Sequence, residues 1–164
     1  MVAEVSGLGL ENIQSGPYGN ATVHIVDFKS EGTVDASDSE ENPIRIAHLP
    51  KGMRVYQIDA VVHSPGQPNG LTIDVGYMAD GAETDDTASE DNFHDLDFFF
   101  DGIDVGTADG SGNFHYSSIA NTKHERLHIK QDDVYLMVNF ITTDATATVE
   151  IQFIVHYEWL GTRS

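Results

Sequence analysis

The clearest structural pattern in the sequence is Thr148–Trp159, which reads TVEIQFIVHYEW. One side of an extended chain would carry Val149, Ile151, Phe153, Val155, Tyr157 and Trp159. The other side would carry mainly polar residues, namely Thr148, Glu150, Gln152, His156 and Glu158. Because successive side chains of a strand point to opposite faces, this period of two predicts a β-strand with one buried face. Trp159 shares the register of the core residues, so we expect it to be packed.

The segment before this strand is apolar on both faces. Val134–Ile141 reads VYLMVNFI, and Thr142–Ala145 joins it to its successor over a gap of turn length. Two strands so close in sequence commonly pair with each other. We therefore predict a C-terminal antiparallel hairpin.

Shorter segments with a strand pattern recur along the rest of the chain. They are Ala21–Phe28, Ile44–Leu49, Met53–Val62, Leu71–Tyr77, His94–Phe100 and Arg126–Ile129. Segments rich in glycine, proline, asparagine and aspartate separate them, as at Ser64–Gly70. About eight short strands predict an all-β fold, an antiparallel two-sheet sandwich or jelly roll.

The length of 164 residues favours one domain. Residues 1–20 contain four glycines and Pro17, and they are expected to form a flexible N-terminal arm. Residues 21–164 would form a single β-sandwich domain, with acidic loops at 30–42 and 79–93. No apolar run approaches the roughly 18–20 residues of a membrane helix, and the first residues lack the pattern of a secretory signal. We therefore expect that the protein does not associate with a membrane. We also expect that it assembles in a cytoplasm.

The charge is strongly negative, because 27 acidic residues oppose 8 lysines and arginines to give a net charge of −19. No lysine or arginine lies between Arg54 and Lys123. Nucleic-acid binding needs a basic patch, so we expect no nucleic-acid partner. Repulsion on this scale weakens a compact state unless salt screens it, which suggests a halophilic or marine source. The alternative is that the acidity serves only solubility.

Catalytic signatures are lacking in the sequence. The chain has no cysteine, which excludes disulfides, thiolate metal sites and cysteine nucleophiles. It has no G-x-S-x-G motif and no phosphate-binding glycine loop before a helix. We therefore predict no catalytic residue, no cofactor and no enzymatic activity.

The segment His124–His128 reads HERLH and matches the H-E-x-x-H motif of zinc proteases. That chemistry requires both histidines on one face of a helix. Here the residues that follow predict a strand and a turn, and on a strand the two histidines would lie roughly 13 Å apart. We interpret the match as a coincidence on a solvated surface segment.

Acidic loops with glycines raise the possibility of a structural calcium ion, because calcium prefers six to eight oxygen ligands. The candidate ligands are Asp101, Asp104, Asp109 and Asn113. The two loops are Asp101–Asp104 and Asp109–Asn113, and neither has the spacing of a helix-flanked calcium loop. The main expectation is that both segments are plain turns that bind no metal.

Three segments together resemble a pattern in small structural proteins of tailed viruses. Pro43–Val55 contains RIAHLPKG, which is similar to their R-[IL]-A-x-[LI]-P strand followed by K/A-G. Leu71–Tyr77 resembles their L-x-[IV]-x-[VL]-G-Y strand, and Met78–Gly81 their Gly-Asp loop. Val149–Tyr157 resembles their V-x-[IL]-x-[VF]-x-V-x-Y ending. The resemblance extends over about two-thirds of the chain.

This resemblance implies a β-sandwich head decoration or cement protein of a bacteriophage or haloarchaeal virus. Such a protein would bind the major capsid protein on the outer surface of an icosahedral head, self-associate as a homotrimer and assemble in the host cytoplasm. Its N-terminal arm could reach an adjacent subunit. Two alternatives remain open, a receptor- or glycan-binding spike or turret domain of a virion and a stand-alone carbohydrate-binding β-sandwich module.

Overall fold

The computed structural model describes residues 11–12, 21–30, 43–63, 70–80, 94–106, 114–118, 127–141, 145 and 148–161. Within these residues the chain forms ten β-strands and no helix. They are β1 (Glu11–Asn12), β2 (Ala21–Lys29), β3 (Ile44–Leu49), β4 (Met53–Val62), β5 (Thr72–Ala79), β6 (His94–Asp104), β7 (Phe114–Ser117), β8 (Leu127–His128), β9 (Val134–Phe140) and β10 (Glu150–Trp159). The all-β prediction is confirmed.

The strands form two five-stranded sheets. Sheet A has the order β1-β3-β9-β5-β6, and sheet B has the order β2-β10-β4-β7, with β8 also paired to β4. Neighbouring strands are antiparallel except β1 and β3, which are parallel. The two-sheet sandwich is thus confirmed, whereas the jelly-roll alternative stays a prediction.

The core lies between the inner faces of the two sheets. In β10 and the residue before it, the predicted inner face is buried at every position from Val149 to Tyr157, with Phe153 and Val155 at 0% exposure. Trp159 is partly buried and packs against this core, as expected. Strand β9 lies between β3 and β5 and is buried on both faces, which explains why its sequence shows no alternation.

The predicted C-terminal hairpin is wrong. Strand β9 pairs with β3 and β5 in sheet A, whereas β10 pairs with β2 and β4 in sheet B. The connection between them therefore crosses from one sheet to the other, and its described residue Ala145 is fully buried. Packed sheets are separated by about 10 Å, so a short connection can either cross that gap or close a hairpin. Its length alone does not distinguish the two.

Most strand boundaries agree with the sequence. Ile44–Leu49 and Met53–Val62 match at both ends, and the strand that starts at His94 continues to Asp104. Two strands were missed, β1 and β7. Strand β7 has only four residues, so its assignment depends on its pairing with β4 more than on any local pattern.

A long bulge interrupts the edge of sheet A. Val75 is opposite Phe100 and Tyr77 is opposite Asp95, so four residues of β6 face the single residue Gly76. The β6 backbone lies directly against that glycine. A Cβ atom at position 76 would be 1.9 Å from the carbonyl oxygen of Asp95. Steric exclusion of any side chain at this position thus explains the glycine of the L-x-[IV]-x-[VL]-G-Y pattern in this fold.

The predicted domain boundaries fall largely outside the described residues. This applies to residues 1–10 and 13–20 of the arm and to residues 31–42 and 81–93 of the acidic loops. Within the arm, Glu11 and Asn12 pair with Ala47 and His48 of β3. Among the described residues, no helix is long and apolar enough to cross a membrane.

Candidate functional surface

The outer face of sheet B carries the most distinctive side chains among the described residues. We define the outer face by the residues that alternate with the core positions of β2, β10, β4 and β7. They are Val23, Ile25, Asp27, Lys29, Glu150, Gln152, Ile154, His156, Glu158, Arg54, Gln57, Asp59, Val61, His115 and Ser117. Ile154 lies at its centre, between Ile25 on one side and Asp59 on the other.

A bulge in β4 shapes this face. His156 is opposite Gln57, but the next residue of β10, Tyr157, is opposite Val55, so β4 has one extra residue there. The buried positions of β4 accordingly shift from Met53 and Val55 to the even-numbered residues that follow. A bulge of this kind redirects side chains locally.

Four polar side chains meet beside the bulge. The Nε2 group of Gln57 donates to Oδ1 of Asp59 at 2.8 Å and also lies 3.2 Å from Oγ of Ser117. The Nε2 atom of His156 lies 2.9 Å from Oδ2 of Asp59. We call Gln57, Asp59, Ser117 and His156 the polar cluster. It joins β4, β7 and β10 through their side chains.

Asp59 is the buried member of the polar cluster, with 8% of its surface exposed. Burial by itself would raise the pKa of its carboxyl group. Hydrogen bonds from Gln57, Ser117 and His156, together with the charge of His156, outweigh that effect and hold the pKa below its ordinary value. Asp59 is therefore a carboxylate that its neighbours stabilise in the charged form.

The polar cluster contains a serine, a histidine and an aspartate, which are the residue types of a hydrolase triad. In a triad the histidine lies between the acid and the serine, so that it can take the serine proton. Here Asp59 occupies the middle position and bonds to both Ser117 and His156. This order matches a structural cross-link between strands and lacks the serine–histidine bond of a nucleophile. The sequence did not predict the polar cluster. Only the shift of the apolar positions within Met53–Val62 could have indicated the bulge beside it.

The edge of the outer face differs in character, because two large apolar side chains are exposed there. Val23 is 51% exposed and Ile25 is 49% exposed, and both belong to β2, the edge strand of sheet B. Ion pairs lie along the same face. Lys29 contacts Glu150 at 2.5 Å. Arg54 pairs with Glu158.

A shallow depression of about 220 Å³ lies at the end of the outer face where Lys29 pairs with Glu150. It is lined by Asp27, Phe28, Lys29, His63, Glu150, Ile151 and Gln152. Its polar lining is already hydrogen-bonded within the chain, since Gln152 donates to Asp27 at 2.9 Å and Lys29 bonds to Glu150.

The residues considered for calcium are only partly described. Asp101 and Asp104 belong to β6, so this segment is a strand with a bulge and the predicted turn is wrong. This bulge is separate from the one opposite Gly76, and it forms at Gly102. Gly102 has a positive φ of 65° and donates its N–H to Oδ1 of Asp74 at 2.8 Å. Asp109 and Asn113 lie outside the described residues. In the described part of the chain, no group of three or more histidines, aspartates or glutamates is placed to hold a metal ion.

The H-E-x-x-H segment is described only at its end. Leu127 and His128 form β8 and pair with Val55 and Arg54, which confirms the predicted strand at these two positions. His124 and the two residues after it lie outside the described residues. Burial, with the nearby charges of Lys130 and Arg54, lowers the pKa of His128 below its ordinary value.

Comparisons with known proteins give a similarity of fold. No family model matches the chain, and no curated protein matches it. A chain in the capsid asymmetric unit of cyanophage Pam1 aligns over 95% of this chain and 96% of its own length, with a TM-score of 0.57 and 15% identity. A chain in the capsid of Ralstonia phage GP4 aligns over 97% and 98%, with a TM-score of 0.59 and 15% identity. The complete two-sheet architecture is therefore shared with chains found in phage capsids.

Proposed function

We propose that this chain is a non-enzymatic structural protein of a virion, a decoration or cement protein bound to the outer surface of an icosahedral head. The observation that carries the proposal is the end-to-end match of its fold with chains in two phage capsid structures. The alignments extend over nearly all of both chains, so the similarity concerns the whole sandwich and not one sheet of it. The sequence resemblance to head decoration proteins points independently to the same role.

The charge of the chain supports a position on the outside of the head. The inside of a filled head faces packaged nucleic acid, which is densely negative. A chain with a net charge of −19 is repelled by that surface. On the outside it has no such conflict, so the outer surface is the better location.

The chemistry of the outer face supports a structural role over a catalytic one. The polar cluster cross-links three strands and does not pair a nucleophile with a base. Trp159, the only tryptophan, packs against the core and does not provide an aromatic platform for sugars. We therefore favour a decoration protein over a glycan-binding module. Its proposed partner is the major capsid protein, and its proposed assembly is a homotrimer formed in the host cytoplasm.

The decisive experiment is to purify assembled particles from infected cells and to measure the amount of this protein per capsid protein by gel densitometry. We expect a fixed ratio that persists through gradient centrifugation. Gold-labelled antibody should bind intact particles if the protein lies outside. A protein that stays at the top of the gradient, with none on the particles, would refute the proposal.

A further inference from the structure

Among the strands that the structure describes, none pairs with the edge of β2 that faces away from β10, and we call this side the open edge. Ser30 donates its N–H to the carbonyl oxygen of Val149 at 2.9 Å, and the register makes these two residues direct partners. Hydrogen-bonded pairs alternate along an antiparallel ladder. Val26 and Phe28 therefore direct their amides toward β10. Val23, Ile25 and Asp27 direct theirs away from it.

The residues with outward amides are also the residues with side chains on the outer face. Val23 and Ile25 are the exposed large apolar residues in the described part of the chain. Asp27 follows at the next alternate position and is exposed. Its described side-chain bond comes from the neutral amide of Gln152, whereas Lys29 is neutralised by Glu150. The open edge thus presents two apolar side chains followed by a carboxylate that no lysine or arginine of the described residues contacts.

A second copy of this chain is a poor occupant of this edge. If two β2 strands pair antiparallel with Val23 opposite Ile25, each Asp27 lies opposite Ala21 of the other copy. If Asp27 lies opposite Lys29, the apolar residues extend beyond the end of the partner strand. No antiparallel register therefore places apolar residues opposite Val23 and Ile25 and also a cation opposite Asp27.

We infer that β2 is the docking edge for an extended strand of the shell protein, added to sheet B through backbone hydrogen bonds. The partner strand has apolar residues opposite Val23 and Ile25 and a lysine or arginine opposite Asp27. Main-chain bonds supply attachment in this mode of recognition, and alternate side chains supply specificity. This inference rests on the proposed function for the identity of the partner, but the chemistry of the strand follows from β2 alone.

The first test needs no shells. A synthetic peptide of about ten residues, with valine at two alternate positions and lysine at the next, is titrated into isotope-labelled protein. We expect shifts and slowed hydrogen exchange at the amides of Val23, Ile25 and Asp27. A matched peptide with glutamate in place of lysine should bind about two- to five-fold more weakly, and Asp27→Lys should reverse the preference. Peptide binding elsewhere, or no binding at all, contradicts strand addition.

The second test uses purified particles that lack the protein. The double variant Val23→Thr/Ile25→Thr keeps β-branched side chains at both positions but makes the exposed surface less apolar. The variant Ile25→Pro removes one N–H donor that points away from β10, so no hydrogen bond between β2 and β10 is lost. Both variants should show at least about threefold lower occupancy at limiting protein, a change of the size that cross-strand side-chain pairs produce. The control is Val61→Thr, on the same face but on an inner strand, and its occupancy should equal that of the wild type.

The two tests separate the inference from the proposed function. Normal occupancy of both β2 variants on shells would overturn the docking edge and leave the decoration role intact. If the wild-type protein fails to bind shells, the decoration role fails, and the peptide titration still decides whether β2 accepts a strand. Melting temperatures of all variants show whether any loss of binding arises from unfolding.

Discussion

The Nε2 atom of His156 lies 2.9 Å from Oδ2 of Asp59, so one side-chain contact joins β10 to β4 on the outer face. The same carboxylate accepts hydrogen bonds from Gln57 and Ser117. A single residue therefore links three strands of sheet B. Its charge is maintained by hydrogen bonds in spite of burial.

Replacement of Asp59 by Asn should destabilise the protein by about 1–3 kcal/mol at pH 7, because donors that face a carboxylate would meet an amide. The pKa of Asp59 is lowered in the folded state from 3.8, so its contribution is present above about pH 4 and is lost as the pH falls through the folded pKa. The difference between variant and wild type should then shrink below pH 4. Urea unfolding from pH 3 to 7 measures it, with the exposed Asp27→Asn as control. A difference that widens in acid would contradict the assignment.

Replacement of Phe153 by Ala should cost about 3–5 kcal/mol, because it leaves a cavity in the middle of the core. Phe153 is fully buried, and it is opposite Val26 and Ala60 in sheet B. Chemical denaturation gives the free energy of unfolding. Ile25→Ala is the matched control on the exposed face and should cost less than about 1 kcal/mol. Equal losses of unfolding free energy at Phe153 and Ile25 would contradict the assignment of Phe153 to the core.

Replacement of Gly76 by Ala should cost about 2–3 kcal/mol, because the new Cβ would overlap the β6 backbone at Asp95 and Leu96. Backbone atoms cannot move aside as the end of a side chain can. Gly102→Ala is a useful comparison, since nothing lies within 4 Å of its Cβ position and only the positive φ is unfavourable. We expect about 1–2 kcal/mol there. An unchanged melting temperature for Gly76→Ala would show that the bulge does not press on Gly76.

The melting temperature should rise with sodium chloride between 0.1 M and 2 M. The net charge of −19 opposes compaction, and the Debye length falls from about 10 Å at 0.1 M to about 3 Å at 1 M. Thermal melts at several salt concentrations test this expectation. An uncharged osmolyte at matched osmolality controls for general solvent effects. A flat salt series would remove the argument for a saline habitat.

Deletion of Met1 to Gly16 should leave the melting temperature of the free protein nearly unchanged. The deletion removes β1, whose two residues pair with β3. A net gain of about 0.5–1.5 kcal/mol per hydrogen bond is offset by about 1–2 kcal/mol for ordering each residue. Occupancy on purified particles, measured by gel densitometry, should fall if the arm contacts the shell. Equal occupancy would refute the arm as a contact, and loss of folding would show that it belongs to the core.

The sequence predicts single strands well but not their partners. The alternation of Val149–Tyr157 and the burial of Phe153 could be read directly, because the period of two is a local property. The pairing of β10 with β2 could not, because it joins segments more than a hundred residues apart. The polar cluster was missed for the same reason. Ser117 and His156 approach Asp59 only through the strand order of sheet B.

The position of β10 between β2 and β4 also has a consequence for the order of events during synthesis. Lys29 and its partner Glu150 are 121 residues apart in the chain. A ribosome that adds about 5–20 residues per second takes roughly 6–24 s to travel that distance. Throughout this interval the nascent chain holds β2 without its neighbour, and the exposed Val23 and Ile25 lie on a strand that is open on both sides. The growing polypeptide is then most vulnerable to aggregation, and early binding by a chaperone would protect this strand.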